Sequence, residues 1–290
     1  MCDEFTSAAE DEALARKGLS RRQFAAIGAG AVLAACSGAG EGASRGLVEK
    51  MVQVPTPDGM ADAFFVHPRR GRHPAVIMWP DIVGLRDAFK AMARRLAESG
   101  FSVLAVNHYY RTARAPVLTS FAEWRTPEGQ AKMRPAIAAL TSETTARDTA
   151  AFAAFLDRQP SVNRQRKIGV QGYCQTGSFA IRSAAAVPDR IGAVASFHGG
   201  GLVSAAADSP HQLFARTMAS FLIAIARNDD ERAPGDKDAL RQAASASGRP
   251  VEVVVYPADH GWCVLDSPVY DKEQADLAWE QLTGLYLGAL

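Results

Sequence analysis

The sequence has almost no net charge, few cysteines and no apolar run long enough for a permanent membrane span. Its 290 residues carry 32 Lys and Arg against 31 Asp and Glu, a net charge of +1 at neutral pH, and the basic residues are scattered. Binding of nucleic acid or of an anionic surface usually needs a clustered excess of basic residues. We therefore expect no nucleic-acid partner.

The composition is that of a globular protein, with 48% hydrophobic and 22% charged residues. A chain of this length can bury a substantial core, and α/β folds of this size commonly form one domain. No internal repeat interrupts it. We predict a leader over residues 1–36, a flexible Gly/Ser tether over 37–47, and a single domain over 48–290.

The leader has the features of an export signal. Arg21 and Arg22 in "SRRQF" precede the weakly apolar stretch "AAIGAGAVLAA", which is too short to span a membrane comfortably. This segment resembles a twin-arginine signal, and "LAAC" resembles a lipobox that ends in Cys36. The alternative is an ordinary cleavage site between small residues. We expect export to the periplasm or the cell surface, with a lipid anchor on Cys36.

The rest of the chain alternates between strand and helix patterns. "VQVPTPDGMADAFFVHP" predicts a hairpin around Pro-Asp-Gly. Continuous apolar runs predict buried strands and periodic segments predict helices, so that the whole indicates a doubly wound, mostly parallel sheet with helices on both faces. The strands are predicted at 74–79, 101–107, 167–173, 191–199, 220–226 and 250–257, and the helices at 86–100, 144–158, 176–186, 237–247 and 272–287. Residues 108–143 interrupt the alternation and are predicted to form a lid or pocket wall.

Cys174 lies between a predicted strand and a predicted helix, at the centre of "GYCQTG". A buried, inert cysteine is one interpretation, because a free thiol packs like a small apolar residue. A nucleophile elbow is the other. There a sharp strand-to-helix turn exposes the nucleophile above the sheet, and the helix N-terminus favours the thiolate.

Two later strand ends decide between these interpretations. Asp229 and Asp230 follow the strand "SFLIAIA", and His260 follows "VEVVVYP". A nucleophile, an acid and a histidine in this order, each after a strand, is the α/β-hydrolase arrangement. We favour Asp229 as the acid, with Asp230 as the fallback. His198 is a competing base, but it precedes the acid and is predicted to be a pocket or loop residue.

Over residues 50–288 the sequence resembles the dienelactone hydrolase family, whose members have the α/β-hydrolase fold and a cysteine nucleophile. The matching segments include "WPDIVG", "IGVQGYC", "ASFHGGGL", "NDDERAP" and "DHGW". The resemblance implies a triad of Cys174, Asp229 and His260. It also implies an acid beside the nucleophile, Asp81, and an oxyanion hole formed by the backbone N–H groups of Ile82 and Gln175. The amide after an elbow nucleophile points into the site for physical reasons as well.

The chain departs from the family at three points. Asp81 stands where a Glu is usual, Thr176 stands where a Gly is usual, and no arginine follows His260 to hold a substrate carboxylate. The resemblance to the family therefore predicts the fold and the reaction type of this chain better than it predicts the substrate. The candidate substrate-binding residues are Arg111, Arg114, Tyr110, His198 and Trp262.

We predict a monomeric hydrolase that opens a small-molecule ester or lactone through an acyl-cysteine, with no metal and no organic cofactor. The alternative is an exported binding or scaffold lipoprotein that has kept the fold without efficient turnover.

Cys263 lies three residues after His260, so a disulfide with Cys174 is an alternative in an oxidising compartment. We expect no such bond and predict that Cys263 packs as a small apolar residue.

Overall fold

The apolar runs of the sequence form the eight strands of one sheet. The structure is a computed structural model and describes residues 4–19 and 46–290. The strands are β1 (Leu47–Thr56), β2 (Gly59–Pro68), β3 (Ala75–Trp79), β4 (Ser102–Val106), β5 (Ile168–Tyr173), β6 (Ile191–Phe197), β7 (Ser220–Ala226) and β8 (Val251–Tyr256). Their order across the sheet is β1-β2-β4-β3-β5-β6-β7-β8.

The sheet combines an antiparallel edge with a parallel centre. β1 and β2 form the predicted hairpin around Pro57 and Asp58, and β2 pairs antiparallel with β4. All other neighbours are parallel. Parallel strands end at the same edge of the sheet, so the segments that follow β5, β7 and β8 come together there.

Nine α-helices accompany the strands in the described part of the chain. They are α1 (Glu4–Arg16), α2 (Asp87–Glu98), α3 (Phe121–Trp124), α4 (Pro127–Ala138), α5 (Ser142–Asp157), α6 (Gly177–Ala186), α7 (Arg227–Arg232), α8 (Asp236–Ser247) and α9 (Lys272–Ala289). Local signals explain several ends. Thr141 caps α5 through the backbone N–H of Thr144, and α8 ends at Gly248, whose φ of 64° suits a left-handed C-terminal position.

The helices cover both faces of the sheet, as predicted. Phe89 and Leu96 of α2 pack with Leu282 and Tyr286 of α9 on one face. On the other face α5, α6 and α8 bury a second apolar cluster that includes Phe152 and Ile181. The doubly wound α/β architecture expected from the sequence is therefore confirmed. The central strands β3, β4, β5 and β6 are buried between two helical layers, whereas the edge strand β1 is largely exposed.

The helices that lie outside the regular alternation of strands and helices were not expected from the sequence. α3 and α4 divide the stretch treated as a pocket wall, and α1 lies in the segment set aside as a leader. The predicted signal residues Arg21, Arg22 and Cys36 lie outside the described residues. Within the described ranges, no helix is long and apolar enough to cross a bilayer.

Candidate active site

Cys174 sits at a strained turn between β5 and α6. Its φ is 56°, a left-handed value that residues other than glycine seldom adopt. The turn is so tight that a Cβ on Gly172 would lie 2.1 Å from the carbonyl oxygen of Thr176, and a Cβ on Gly177 would lie 2.6 Å from the Cα of Gly199. The two glycines therefore permit the elbow, and the strain is retained where it positions a thiol.

Thr176 does more than occupy the place of a glycine. Its hydroxyl accepts the backbone N–H of Tyr173 at 2.9 Å and lies 2.9 Å from the carbonyl oxygen of Trp79, to which it can donate. These bonds tie the elbow to the end of β3. The threonine that stands where the family usually has a glycine therefore stabilises the turn that carries Cys174.

His260 lies between Asp229 and Cys174. Its Nδ1 is 2.7 Å from Oδ2 of Asp229, and its backbone N–H donates to Oδ1 of Asn228 at 2.9 Å. Asp230 instead pairs with Lys237 at 2.7 Å. Of the two acids left open by the sequence, the structure places Asp229 against the imidazole.

The charge around His260 favours its protonated form. Burial alone would lower the pKa of the imidazole, but interaction with the Cys174 sulfur and with the Asp229 carboxylate raises it to about 10. An imidazolium beside a cysteine favours the thiolate, which is the nucleophilic form.

His198 is buried beside this pair and has a different role. Its Nδ1 accepts the backbone N–H of Cys174 at 3.1 Å, and its ring centroid lies 4.6 Å from that of His260. Burial, reinforced by the nearby charge of His260, lowers the pKa of His198 well below its ordinary value. The neutral ring holds the elbow backbone, and Trp262 packs edge-on against it at 5.3 Å.

Asp81 is held by a buried arginine that the sequence analysis did not single out. Arg86 binds both oxygens of Asp81 at 2.7 and 3.0 Å, and both oxygens of Asp266 at 2.6 and 2.7 Å. Burial raises the pKa of the Asp81 carboxyl, while Arg86 opposes that shift. Since Asp266 belongs to the loop that carries His260, Arg86 joins that loop to the segment after β3.

The predicted oxyanion segment is ordered by a tyrosine. The hydroxyl of Tyr109 donates to the carbonyl oxygen of Ile82 at 2.9 Å and accepts from the side-chain amide of Gln175 at 2.7 Å. The two residues expected to supply backbone N–H donors are thus linked to one another. Their donor role itself stays a prediction.

The candidate substrate-binding residues fall into different places. Arg111 is engaged by Asp58 and Asp148, with its shortest contacts at 2.6 and 2.7 Å. Tyr110 joins the same network through its hydroxyl, 2.8 Å from Asp148. Arg114 is exposed. Neither arginine is held against the thiol in the described structure.

The stretch after β4 forms a wall of the site, as predicted. Its apolar side chains pack in one cluster with Cys174, and this cluster contains Ile82, Val83, Tyr109, Val117, Leu118, Phe121, Trp124, Met133 and Ala136. Arg125, between α3 and α4, is nine-tenths buried and pairs with Glu10 of α1 at 3.2 Å. Glu10 interacts electrostatically with both Cys174 and His260. Arg125 and Glu10 are therefore site residues that the sequence analysis missed.

Cys263 packs in the apolar cluster of the α2 and α9 face, and it is not joined to Cys174 by a disulfide. Burial raises the pKa of its thiol, so this cysteine is held in the protonated, unreactive form.

Among the described residues, no group of three or more His, Cys, Asp or Glu side chains is arranged to hold a metal ion.

A mostly parallel sheet with Cys174, Asp229 and His260 after β5, β7 and β8 defines an α/β-hydrolase fold. The model of the dienelactone hydrolase family matches residues 61–287. The chain belongs to the dienelactone hydrolase family and is a hydrolase by that membership.

Individual relatives agree with this assignment. A protein of Synechocystis sp., by name a carboxymethylenebutenolidase, is 27% identical over 220 residues, which cover 74% of this chain and 86% of that protein. One from Methylorubrum extorquens with the same name is 26% identical over 245 residues, 82% of this chain and 80% of its own. A solved structure from Klebsiella pneumoniae, by name a dienelactone hydrolase, has a TM-score of 0.72 at 20% identity. It covers 83% of this chain and 98% of that one.

Proposed function

We propose that this protein hydrolyses carboxylic esters or lactones through a covalent acyl-cysteine on Cys174. The observation that supports this best is the chain of contacts from Asp229 to His260 to Cys174, at an elbow with a φ of 56°. Such a chain supplies a nucleophile, a base and a group that orients the base. No resident metal or organic cofactor is part of the proposal.

The first half of the reaction forms a thioester. His260 holds the proton of the Cys174 thiol, and the thiolate attacks the carbonyl carbon of the substrate. The oxygen of the tetrahedral intermediate is stabilised by the backbone N–H groups of Ile82 and Gln175. When the intermediate collapses, the carbon–oxygen bond breaks and His260 gives its proton to the departing oxygen.

The second half releases the acid. His260 removes a proton from a water molecule, whose oxygen attacks the thioester carbonyl carbon. The carbon–sulfur bond breaks and regenerates the thiolate beside the imidazolium. An ester yields an alcohol and an acid. A lactone yields one hydroxy acid, or its keto tautomer when the ring oxygen belongs to an enol.

The choice of sulfur limits the range of substrates. A thiolate is itself a good leaving group, so the tetrahedral intermediate returns to substrate unless the departing oxygen is at least as stable. We therefore propose activated esters and enol lactones as the substrate class, with little activity on amides.

The same proposal includes a place for the protein in the cell. The twin-arginine and lipobox-like residues support export and attachment through Cys36. Mass spectrometry of the N-terminal peptide of membrane-extracted protein tests this. An acylated Cys36 supports the anchor, and a soluble product cleaved at another residue contradicts it.

We expect a monomer, which light scattering of the detergent-free domain tests.

Replacement of the thiol tests the chemistry. Cys174→Ala in the full chain should lower kcat/KM for p-nitrophenyl acetate and for an enol lactone by at least about 10²-fold. Cys263→Ala is the matched control, because that thiol is buried elsewhere, and it should leave turnover unchanged. A wild-type thioester adduct trapped by acid quench would support the intermediate. Undiminished turnover in Cys174→Ala contradicts the proposal.

A further inference from the structure

The helix α1 presents one buried face to the rest of the molecule. Thr6, Glu10, Ala13 and Leu14 are each at most 6% exposed, and their spacing of four, three and one places them on one side of a helix. Glu12, on the opposite side, is exposed and pairs with Arg16. The segment before the predicted signal is therefore docked against the domain.

The docked helix bridges two walls of the candidate active site. On one side Arg125, from the wall that follows β4, pairs with Glu10 and with Asp11. On the other side Lys17 donates to the carbonyl oxygen of Pro268 at 2.9 Å, in the loop that carries His260. The helix α1 therefore spans from one wall to the other.

The carboxylate of Glu10 lies within electrostatic range of the reacting groups. It interacts with the charges of Cys174 and His260, and burial raises its pKa to about 7 against the opposing effect of Arg125. The side chains of Cys174 and His260 are almost fully buried with α1 in place. A substrate carbonyl would have to enter the space that this acidic side chain borders.

We propose that α1 is an autoinhibitory plug, in which Glu10 anchored by Arg125 closes the Cys174 and His260 pair to substrate. This proposal rests on the proposed function only where substrate turnover is measured, since access of a reagent to the Cys174 thiol can be measured whether or not the protein is a hydrolase. The predicted cleavage before Cys36 would remove α1, so the mature protein would be the open form. The precursor would then turn over substrate more slowly than the exported protein.

Matched charge reversals on the two sides of α1 test the plug in the full chain. Glu10→Lys places an ammonium group beside Arg125 and should release the helix. Glu12→Lys makes the same change of net charge on the exposed side and should not. We expect iodoacetamide to alkylate Cys174 at least about tenfold faster in Glu10→Lys than in Glu12→Lys or wild type, with each cysteine followed by peptide mass spectrometry. Equal rates in all three proteins would overturn the plug.

A second pair and a peptide complete the test. Leu14→Ser on the buried side should also expose Cys174, whereas Ala15→Ser on the exposed side should not. A synthetic peptide of residues 4–19, added to Glu10→Lys, should slow alkylation and p-nitrophenyl acetate turnover, and the same peptide with Glu10→Lys should do neither. Inhibition by both peptides or by neither contradicts the proposal. Rapid alkylation without any turnover in Glu10→Lys would instead refute the hydrolase and leave the plug standing.

Discussion

The turn after β6 and the loop after β8 each bring a buried histidine to the same thiol, with their ring centroids 4.6 Å apart. His260 has Asp229 on its Nδ1 and interacts with the Cys174 sulfur, and its pKa is raised to about 10. His198 has no carboxylate within hydrogen-bond reach in the described structure, accepts a backbone N–H, and has a lowered pKa. Burial acts in the same direction on both rings. The anionic neighbours of His260 therefore make the difference between a ring that favours its protonated form and a ring that stays neutral.

Replacement of His260, the ring that favours its protonated form, should have the largest effect. His260→Gln should lower kcat/KM for activated esters by about 10³-fold, because general acid–base catalysis is lost in both halves of the reaction. Alkylation of Cys174 should also slow at neutral pH, since the imidazolium no longer stabilises the thiolate. Steady-state kinetics and labelling measure the two effects. Unchanged kinetics would mean that another group is the base.

The second largest effect is expected at Asp229, the carboxylate that distinguishes the two histidine rings. Asp229→Asn keeps the shape but removes the charge, and its amide can hold the imidazole in the wrong tautomer, so we expect a loss of about 10²-fold in kcat/KM. Asp230→Asn is the control, because Asp230 pairs with Lys237 instead, and should change kcat/KM little. If the two variants behave alike, the assignment of the acid is wrong.

The two rings should titrate far apart in protein labelled with 15N-histidine. NMR should show His260 still protonated at pH 8 and His198 neutral at pH 6, following the directions of their pKa shifts. Cys174→Ala removes a negative neighbour, so the pKa of His260 should fall, whereas His198 should stay neutral. A His260 that titrates near 6.5 in the wild type would contradict the ion pair.

The smallest effect is expected at His198, the ring that stays neutral. His198→Asn keeps an acceptor near the backbone N–H of Cys174 and a residue that tolerates the φ of 39° at this position. We expect only a small change in kcat/KM. His198→Leu leaves the buried N–H without its acceptor and should lower the free energy of unfolding by about 1–3 kcal/mol, measured by urea denaturation. A loss in His198→Asn as large as that in His260→Gln would make His198 a catalytic residue.

The signals from which the sequence predicted this candidate site are local. The elbow glycines, the strand before Cys174 and the helix after it are neighbours in the chain, and so are β7 with Asp229 and β8 with His260. A parallel sheet then brings the strand ends together without further information. The choice between Asp229 and Asp230 needed the structure, because adjacent residues of one turn point in different directions.

The missed residues act through distant partners. Arg86 joins Asp81 to Asp266, which lies 180 residues after Arg86 in the chain. Arg125 pairs with Asp11, which lies 114 residues before it. No spacing in the sequence marks such pairs, since an arginine in a loop is usually solvated. The local patterns that identify strands and turns contain no information on which distant carboxylate an arginine will meet.

By itself, therefore, the sequence determined the doubly wound sheet and the order of Cys174, Asp229 and His260, because periodicity and turn chemistry act between near neighbours. Only the tertiary structure decided which acid faces the imidazole, which histidine stays neutral, and where α1 lies. Those outcomes depend on burial and on charges brought together from distant parts of the chain, and both arise only when the chain has packed.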